Sequence, residues 1–429
     1  MLSLSRRLEL SSDVLREIIA EERIFVEFQS VLSVRNHSVI GFEELIRGKS
    51  KAGALIPAIF LFEAAREHGL VLELDRICRE KALAAFRHSY LQKNGLLFLN
   101  MDTSILTSEV VGSGYLLQQL RRYEIPASSI VVEIVESKTR DTAALISFVN
   151  SCREYGLNIA LDDVGSGHSN FDRISMLCPD IIKIDRSIIS GITENYLKQE
   201  IFKALVRLSG SIGTLALAEG TETQKESVFC IECGADLVQG YFFSRPGNIR
   251  CQDLFREEQS LEFLLSIVKK KKIAALKTRQ LMHRQYQKVL KNIIAKIRGK
   301  SPEDMENMLR EAFNQYEFLD ALYVVNAEGV QITDTVMKRN DDKSVSPVFR
   351  AAKKNENLAH KDYVYNLINT KLKQYTTEHY ISFATGNFCI TLSKLFKGKN
   401  NRNCILCADF LINDIAGNKS SPLRKKFTG

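Results

Sequence analysis

The stretch Ala160-Leu161-Asp162-Asp163-Val164-Gly165-Ser166-Gly167 ends an apolar run with two adjacent acids and a glycine-rich turn. Neighbouring side chains of a strand point to opposite faces, so an acidic doublet inside a strand cannot direct both carboxylates inward. At the lip of a sheet, where the pleat relaxes into a loop, both carboxylates can reach one hard cation or a pair of cations. A solvated Asp-Gly turn is the alternative interpretation of the same residues.

Outward from this stretch, strand-like and helical segments alternate along the first part of the chain. The strand-like segments are residues 24–31, 39–47, 96–100, 130–134, 158–161, 181–184, 214–218 and 237–239. Helical patterns separate most of them. This alternation predicts an α/β fold with a mainly parallel sheet, and eight such units predict a closed (β/α)8 barrel of the TIM type.

Polar residues interrupt these apolar strands, mostly at or near their carboxyl ends. They are Asn100, Glu133, Asp162, Lys183, Glu219 and Gln239, with Glu43 inside the second strand. The carboxyl ends of barrel strands share one rim, so these side chains are predicted to converge there. Such a group is costly to bury unless a positive ion is bound, and ligands without histidine favour Mg²⁺ or Mn²⁺ over zinc. Helix capping, the alternative, would explain only one or two of the acids.

Composition is typical of a soluble globular protein of two or three domains. Of the 429 residues, 45% are hydrophobic and 26% charged. The first residues lack the apolar core of a signal peptide, and no apolar run reaches the roughly 18 residues of a membrane span. Nine scattered cysteines indicate free thiols in a reducing cytoplasm. The pairs Cys230/Cys233 and Cys404/Cys407 have zinc-ligand spacing, but their helical and strand-like surroundings favour structural cysteines.

The motifs themselves resemble those of the EAL domain, the family of cyclic di-GMP phosphodiesterases, over residues 10–250. The name-giving motif is Glu43-Glu44-Leu45-Ile46-Arg47, with Glu44 in place of the usual alanine. The remaining matches follow in the family's order: Asn100-Met101-Asp102, Glu133-Ile134-Val135-Glu136, Asp162-Asp163-Val164-Gly165-Ser166-Gly167, Lys183-Ile184-Asp185, Ala218-Glu219-Gly220-Thr221-Glu222 and Gln239-Gly240-Tyr241.

The resemblance implies a role for each matching residue. Metal ligands are implied at Glu43, Asn100, Glu133 and Asp162, with Asp163 extending the site to a second Mg²⁺ or Mn²⁺ ion. Lys183 corresponds to the lysine that orients the attacking water, Glu219 to the general base, and Glu136 to the glutamate that steadies the metal-binding loop. Nucleotide contacts are implied at Gln29, Arg47, Asp163, Glu222 and Gln239.

Several positions depart from the family's pattern. Ser30 replaces a proline, Val135 a threonine and Val164 a phenylalanine, while Asp102 replaces a serine. None of these changes removes a metal ligand or the base, so the resemblance implies an active hydrolase. The altered loop positions leave open a second interpretation, a receptor that binds cyclic di-GMP without hydrolysing it.

Beyond the barrel, predicted for residues 1–250, a basic connecting helix is expected at residues 251–300. Residues 269–300 contain twelve Lys and Arg and no acid, and subtracting these from the net charge of +8 leaves −4 for the rest. The apolar stripe from Tyr286 to Ile297 must be covered by the barrel, by the third region (residues 301–429) or by a second subunit, and a homodimer is the simplest arrangement. The lysines Lys269–Lys272 are interpreted as the solvated face of this helix. Binding of nucleic acid or of a membrane surface through them is the alternative.

The remaining residues, 301–429, resemble a PAS/Cache-like sensor domain. Ser301-Pro302-Glu303-Asp304 predicts a helix start. Residues 322–333 are predicted to form two strands around a turn, and residues 388–395 and 404–412 are further predicted strands. A small-molecule ligand of this domain is expected but not identified. The polar tail, residues 418–429, is expected to be disordered.

Overall fold

A computed structural model describes residues 10–89, 95–135, 141–166, 171–337 and 349–412. The chain divides into two compact units, Met1–Lys272 and Ile273–Gly429. No helix within the described ranges combines the length and apolar character needed to cross a membrane. The predicted tail, residues 418–429, lies outside these ranges.

The sheet of the first unit contains the predicted strands. Its described members are β1 (Ile24–Ser33), β2 (Ser38–Lys49), β3 (Leu55–Pro57), β4 (Leu96–Met101), β5 (Ile130–Val135), β6 (Asn158–Val164), β7 (Ile181–Ile184), β8 (Leu215–Ala218) and β9 (Leu237–Val238). The strand order is β1-β9-β8-β7-β6-β5-β4-β2-β3, and the pairing of β1 with β2 closes the ring. The predicted eight-stranded barrel is therefore confirmed, with β3 as an edge strand outside it.

One strand differs from a fully parallel barrel. β1 runs antiparallel to both of its neighbours, β2 and β9. The cause is the short connection between Ser33 and Ser38, since a tight hairpin joins only antiparallel strands and a parallel pair needs a long crossover. The pairings from β2 through β4 to β9 are parallel.

Helices lie between most of the strands. In the described part of the first unit they are α1 (Ser12–Ala20), α2 (Ala58–His68), α3 (Val71–Arg87), α4 (Ser108–Gly112), α5 (Tyr115–Arg122), α6 (Thr142–Glu154), α7 (Phe171–Leu177), α8 (Arg186–Ile189), α9 (Tyr196–Ile212) and α10 (Gln224–Cys233). Their apolar faces pack on the outside of the barrel and form the larger core of the unit.

A second, smaller core fills the barrel interior. It is a ring of inward-facing residues from seven strands: Val31, Phe98, Val131, Ala160, Ile181, Leu217 and Leu237. The ring closes the lower part of the barrel with apolar side chains, as in other barrels of this type. Because strand side chains alternate between faces, the residues two positions along each strand also point inward.

The second unit contains an antiparallel sheet and flanking helices. Its elements are α12 (Pro302–Gln315), β10 (Leu319–Asn326), β11 (Val336–Met337), α13 (Asp362–Asn369), β12 (Gln374–Thr376), β13 (Tyr380–Ile381), β14 (Phe388–Lys397) and β15 (Asn403–Leu411). The sheet order is β11-β10-β15-β14-β12, with β13 paired to β14. As predicted, Ser301 caps α12, accepting a hydrogen bond from the Asp304 amide.

One long helix, α11 (Cys251–Ile297), contributes to both units. Its first half places Leu254, Leu261, Leu264 and Val268 in the core of the first unit. Its second half places Tyr286, Val289, Leu290, Ile293 and Ile297 in the core of the second. The apolar stripe from Tyr286 to Ile297 is thus covered by the chain's own sheet and by α12. The cover is therefore the third region, one of the three surfaces considered, and the stripe does not require a second subunit.

Candidate active site

A layer of polar side chains lies directly above the apolar ring inside the barrel. Asn100, Glu133, Asp162, Lys183, Glu219 and Gln239 each follow a ring residue by two positions. On the antiparallel β1 the corresponding residue is Gln29, which precedes Val31 by two and pairs with Glu43 of β2. The alternation of strand side chains therefore brings eight polar residues from all eight barrel strands to one rim.

Lys183 lies at the centre of this layer. Its Nζ is 2.7 Å from Glu133 Oε1, 3.1 Å from both Glu43 Oε1 and Asp162 Oδ1, and 3.5 Å from Glu219 Oε2. The side chains of Lys183 and Glu133 are fully buried. One ammonium group thus faces four carboxylates, and the cluster keeps an excess of negative charge.

Several oxygens of this cluster have no hydrogen-bond partner. They are both carboxylate oxygens of Glu133, Asp162 Oδ1 and Glu219 Oε2. Lys183 is close enough to pair with them electrostatically, but it is aligned for a hydrogen bond only with Glu43. Unpartnered buried oxygens are costly unless another positive group binds them. A carboxylate and amide donor set of this kind fits a hard divalent cation such as Mg²⁺ or Mn²⁺.

Burial and mutual repulsion shift the protonation of the cluster. Burial, together with the charges of Glu43 and Asp162, raises the pKa of Glu133 well above its ordinary value. Burial likewise raises the pKa of Glu219 well above its ordinary value, although Lys183 acts in the opposite direction. Burial disfavours the Lys183 charge, but the surrounding carboxylates outweigh it and raise the pKa of the ammonium group well above 10.5. The surrounding carboxylates therefore favour the charged form of Lys183.

Two glutamines connect Glu43 to the far side of the rim. Gln239 Nε2 donates to Glu43 Oε2 and also to Gln29 Oε1, the second at 3.1 Å. Gln29 Nε2 in turn donates to the Ser244 carbonyl at 2.9 Å. Burial alone would raise the pKa of Glu43, but Lys183 and the Gln239 hydrogen bond hold it below its ordinary value. These contacts therefore favour the ionised form of Glu43.

The acidic doublet lies where the regular pleat of β6 ends. The pairing of β6 with β7 shifts register between Leu161 and Val164. Asp163 has a left-handed φ of 57°, and Gly165 follows with a φ of 101°. Asp162 is buried beside Lys183, while the charge of Asp163 contributes to the raised pKa of Glu219. The bulge thus lets both carboxylates act on the same rim.

Asn100 is oriented from the neighbouring strand. Its Nδ2 donates to the Glu44 carbonyl at 3.2 Å, and its backbone amide donates to Glu44 Oε1, also at 3.2 Å. These contacts occupy the nitrogen of the side-chain amide. The amide oxygen is then the side-chain atom that is available as a ligand for a cation. Glu44 itself is buried on the outer face of β2 and had no role in the sequence prediction.

Other predicted residues lie outside the central cluster. Arg47 forms an ion pair with Glu27 at 3.0 Å, and Glu222 forms one with Arg186 at 2.8 Å. Both predicted nucleotide contacts therefore have protein partners in this structure. Glu136, predicted to steady the metal-binding loop, lies outside the described residues, as does Gly167 of the loop itself.

Sequence reasoning also missed a buried polar group in the second unit. It consists of carboxylate oxygens and a thiol sulfur that lie within 4.8 Å of one another, from Asp320, Cys389 and Asp409. Asn387 donates to Asp320 and Thr391 to Asp409, each at 2.7 Å. Burial raises the pKa of Asp409 to about 7. With its acids hydrogen-bonded in this way, the group is a polar network inside the sheet.

Comparison with known proteins identifies similar chains. The Bacillus subtilis signaling protein YkoW is 29% identical over 54% of this chain and 29% of its own length. The Escherichia coli cyclic di-GMP phosphodiesterase PdeR is 25% identical over 54% of this chain and 35% of its own length. The Bacillus subtilis EAL-domain containing protein YkuI is 26% identical over 75% of this chain and 79% of its own length. The matches thus span only about a third of YkoW and PdeR.

The crystal structure of YkuI, in complex with substrate c-di-GMP and calcium, has the same fold. It superposes with a TM-score of 0.78 at 22% identity, and the superposition covers 94% of this chain and 98% of YkuI.

The sequence model of the EAL domain family matches residues 12–246, from the first helix to the segment just after the last barrel strand. Since this match covers more than half of the chain and the whole barrel, the chain belongs to the EAL domain family.

Proposed function

We propose that the barrel is a metal-dependent phosphodiesterase that hydrolyses cyclic di-GMP to the linear dinucleotide pGpG. The observation that carries the proposal is the rim cluster, in which carboxylate oxygens that lack a hydrogen-bond partner surround one buried lysine. Two comparisons support the substrate: PdeR is named a cyclic di-GMP phosphodiesterase, and YkuI was crystallised with c-di-GMP and calcium.

The cation ligands of this proposal are Glu43, Asn100, Glu133 and Asp162, with Asp163 extending the site to a second Mg²⁺ or Mn²⁺ ion. Divalent ions held by these residues would activate a water and stabilise the negative charge that develops on the phosphodiester. The excess negative charge around Lys183 is what such ions neutralise. Their binding also favours the ionised forms of Glu133 and Glu219, which burial otherwise opposes.

Orientation and deprotonation of the attacking water are assigned to two residues of the cluster. Glu219 Oε2 has no hydrogen-bond partner and can accept the proton of the attacking water. Lys183 Nζ lies 3.5 Å from that oxygen and holds the water through its remaining hydrogen-bonding capacity. Glu136, outside the described residues, keeps its proposed role beside the metal-binding loop.

The nucleotide is proposed to contact Gln29, Arg47, Asp163, Glu222 and Gln239. Arg47 presents a planar guanidinium group, which matches two phosphate oxygens, and nucleotide binding replaces part of its contact with Glu27. In the same way, contacts with the nucleotide replace the hydrogen bond between Gln29 and Gln239.

The direct test is incubation of the purified protein with cyclic di-GMP and Mg²⁺ or Mn²⁺. We expect pGpG to form with one or both ions and to be abolished by a chelator. Glu219→Gln is expected to bind the nucleotide and to lower the turnover number by at least about 100-fold, the usual effect of losing a general base. Full activity in this variant would show that Glu219 is not the base.

A receptor is the second outcome of the same experiment. Val164, which replaces the loop phenylalanine, is buried at the end of β6 beside the acidic doublet. Nucleotide binding by calorimetry without any linear product, with either ion, would establish a receptor in place of the enzyme.

The second unit is proposed to be a PAS/Cache-like sensor that regulates the barrel in response to a small molecule. The protein is also proposed to form a homodimer. A cytoplasmic location is proposed because all nine cysteines are free thiols. No nucleic-acid partner is proposed. Contact with a membrane surface through Lys269–Lys272 is tested by binding to anionic vesicles at low salt, where such contact is strongest.

A further inference from the structure

The strands β2 and β4 separate at the level of the rim. Their parallel pairing ends at Glu43 and Phe98, whereas both strands continue beyond these residues. Asn100 lies past the last paired position of β4. Its backbone amide therefore has no carbonyl of a paired β2 residue to bind, and it donates instead to the side chain of Glu44 at 3.2 Å.

Burying Glu44 for this contact is unfavourable by itself. The side chain is 2% exposed, and its Oε2 has no hydrogen-bond partner. The neighbouring acid Asp75 is equally buried and already paired with Arg79, with a separation of 2.7 Å. The family motif has alanine at this position, and a methyl group cannot reach the Asn100 amide. The contact with Asn100 is thus the favourable interaction that the glutamate adds.

Charged side chains hold the two residues after Asn100 as well. Arg79 of α3 donates to Met101 Sδ at 3.2 Å, and Arg66 of α2 pairs with Asp102 Oδ2 at 2.7 Å. Three consecutive residues at the end of β4 are therefore fixed from three different elements. Two of the contacts depend on Glu44 and Asp102, which are both departures from the family's pattern.

We propose that Glu44 is a positioning residue for the cation ligand Asn100. Its carboxyl oxygen fixes the backbone amide of Asn100, and its carbonyl fixes the side-chain nitrogen, so the amide oxygen is held toward the rim. The hydrogen bond from the Asn100 backbone amide needs only an acceptor oxygen on the Glu44 side chain. The contact therefore does not require Glu44 to be ionised. The inference rests on the proposed function, because it takes Asn100 as a ligand of the divalent ion.

The test is Mn²⁺ binding by the full-length protein without nucleotide, measured by calorimetry. Glu44→Met keeps the side-chain length and replaces the carboxylate with a thioether, which is only a weak acceptor, whereas Glu44→Gln keeps an acceptor oxygen. We expect the methionine variant to raise the Mn²⁺ dissociation constant about 10- to 100-fold, as losses of groups that orient metal ligands do. The glutamine variant is expected to remain within about three-fold of the parent, since its acceptor oxygen is retained.

The matched control is a contact between a glutamate of α11 and the same strand, β2. Glu258 Oε1 accepts a hydrogen bond from the Val39 backbone amide at 3.1 Å, far along β2 from the rim. Glu258→Met removes the same kind of contact and is expected to leave Mn²⁺ binding unchanged. Circular dichroism shows which variants are folded, and Glu44→Ala serves in place of Glu44→Met if the latter does not fold.

The outcomes separate this inference from the function on which it rests. A parent protein that binds no Mn²⁺ overturns the proposed cation site itself. A parent that binds Mn²⁺, with Glu44→Met within three-fold of it, overturns only the role of Glu44. Equal weakening by Glu44→Gln and Glu44→Met also overturns that role, because the acceptor oxygen would then not be the cause.

Discussion

Lys183 is the residue that makes the acidic rim possible in the folded chain. It is fully buried, and four carboxylates lie within 3.5 Å of its ammonium nitrogen. Without it the same carboxylates would face one another in a low-dielectric interior. Such a site folds only with a positive charge at its centre or with several of its acids protonated.

We therefore expect Lys183→Met to lower the free energy of unfolding by about 3–5 kcal/mol, the usual cost of leaving buried charge uncompensated. Mn²⁺ is expected to raise the melting temperature of the variant more than that of the parent, because the ion supplies the missing charge. Thermal unfolding with a chelator and with Mn²⁺ measures both effects. Equal melting temperatures of the two proteins in the chelator would contradict this assignment.

Glu257, on the outer side of the barrel wall, offers a test of pH dependence. Burial raises its pKa from 4.5 to about 7, and the hydroxyl groups of Ser30 and Ser244 oppose the rise only in part. The folded state therefore prefers the protonated acid. The stabilisation from this preference is complete below pH 4.5 and is lost as the pH rises through about 7.

Glu257→Gln removes that dependence, since the amide stays neutral. At pH 8 the variant is expected to exceed the parent in stability by up to about 3 kcal/mol, and near pH 5 the difference should be small. Melting temperatures at the two pH values provide the measurement. A constant difference between the proteins from pH 5 to pH 8 would show that Glu257 does not titrate in this range.

At the scale of elements, α11 is unusual because its two halves belong to different cores. Ile293 is 1% exposed within the second unit, whereas Leu276 of the same helix is 57% exposed. Position along the helix therefore decides what a substitution does. An apolar stripe alone does not reveal whether its covering surface comes from the same chain or from another.

Ile293→Asp is expected to destabilise the second unit by more than about 4 kcal/mol, because it buries an unpaired charge. Leu276→Asp, the matched change at an exposed position, should alter stability by less than about 0.5 kcal/mol. Calorimetry compares the unfolding of the two variants with that of the parent. A folded Ile293→Asp protein with parental stability would mean that the stripe is not part of this core.

For the whole molecule, the division at Lys272 identifies a shorter protein that retains the complete barrel core. A chain of residues 1–272 is expected to fold and to hydrolyse cyclic di-GMP. A chain of residues 1–246 loses Leu254, Leu261, Leu264 and Val268 from the core. At about 1.5–3 kcal/mol for each buried side chain, that loss approaches the total stability of a typical domain.

Circular dichroism and nucleotide hydrolysis by the two truncated proteins check this prediction. Equal folding and activity of the shorter protein would show that the first half of α11 does not complete the barrel. Loss of activity in the longer protein, with the fold intact, would instead show that hydrolysis depends on the second unit.

The sequence by itself determined the features that depend on short-range periodicity. Strand side chains alternate with a period of two, so Asn100, Glu133, Asp162, Lys183, Glu219 and Gln239 could be assigned to one rim from their positions at strand ends. The eight barrel strands and the capped start of α12 could be predicted for the same local reason.

Only the tertiary structure decided which distant elements meet. The contact of Glu44 with Asn100 depends on where β2 and β4 separate, and the sequence pattern of either strand contains no sign of that point. The covering of Ile293 by the chain's own sheet likewise depends on packing between segments far apart in sequence. Local patterns specify which face of an element is apolar, but the partner of that face is set by long-range packing, which no local pattern encodes.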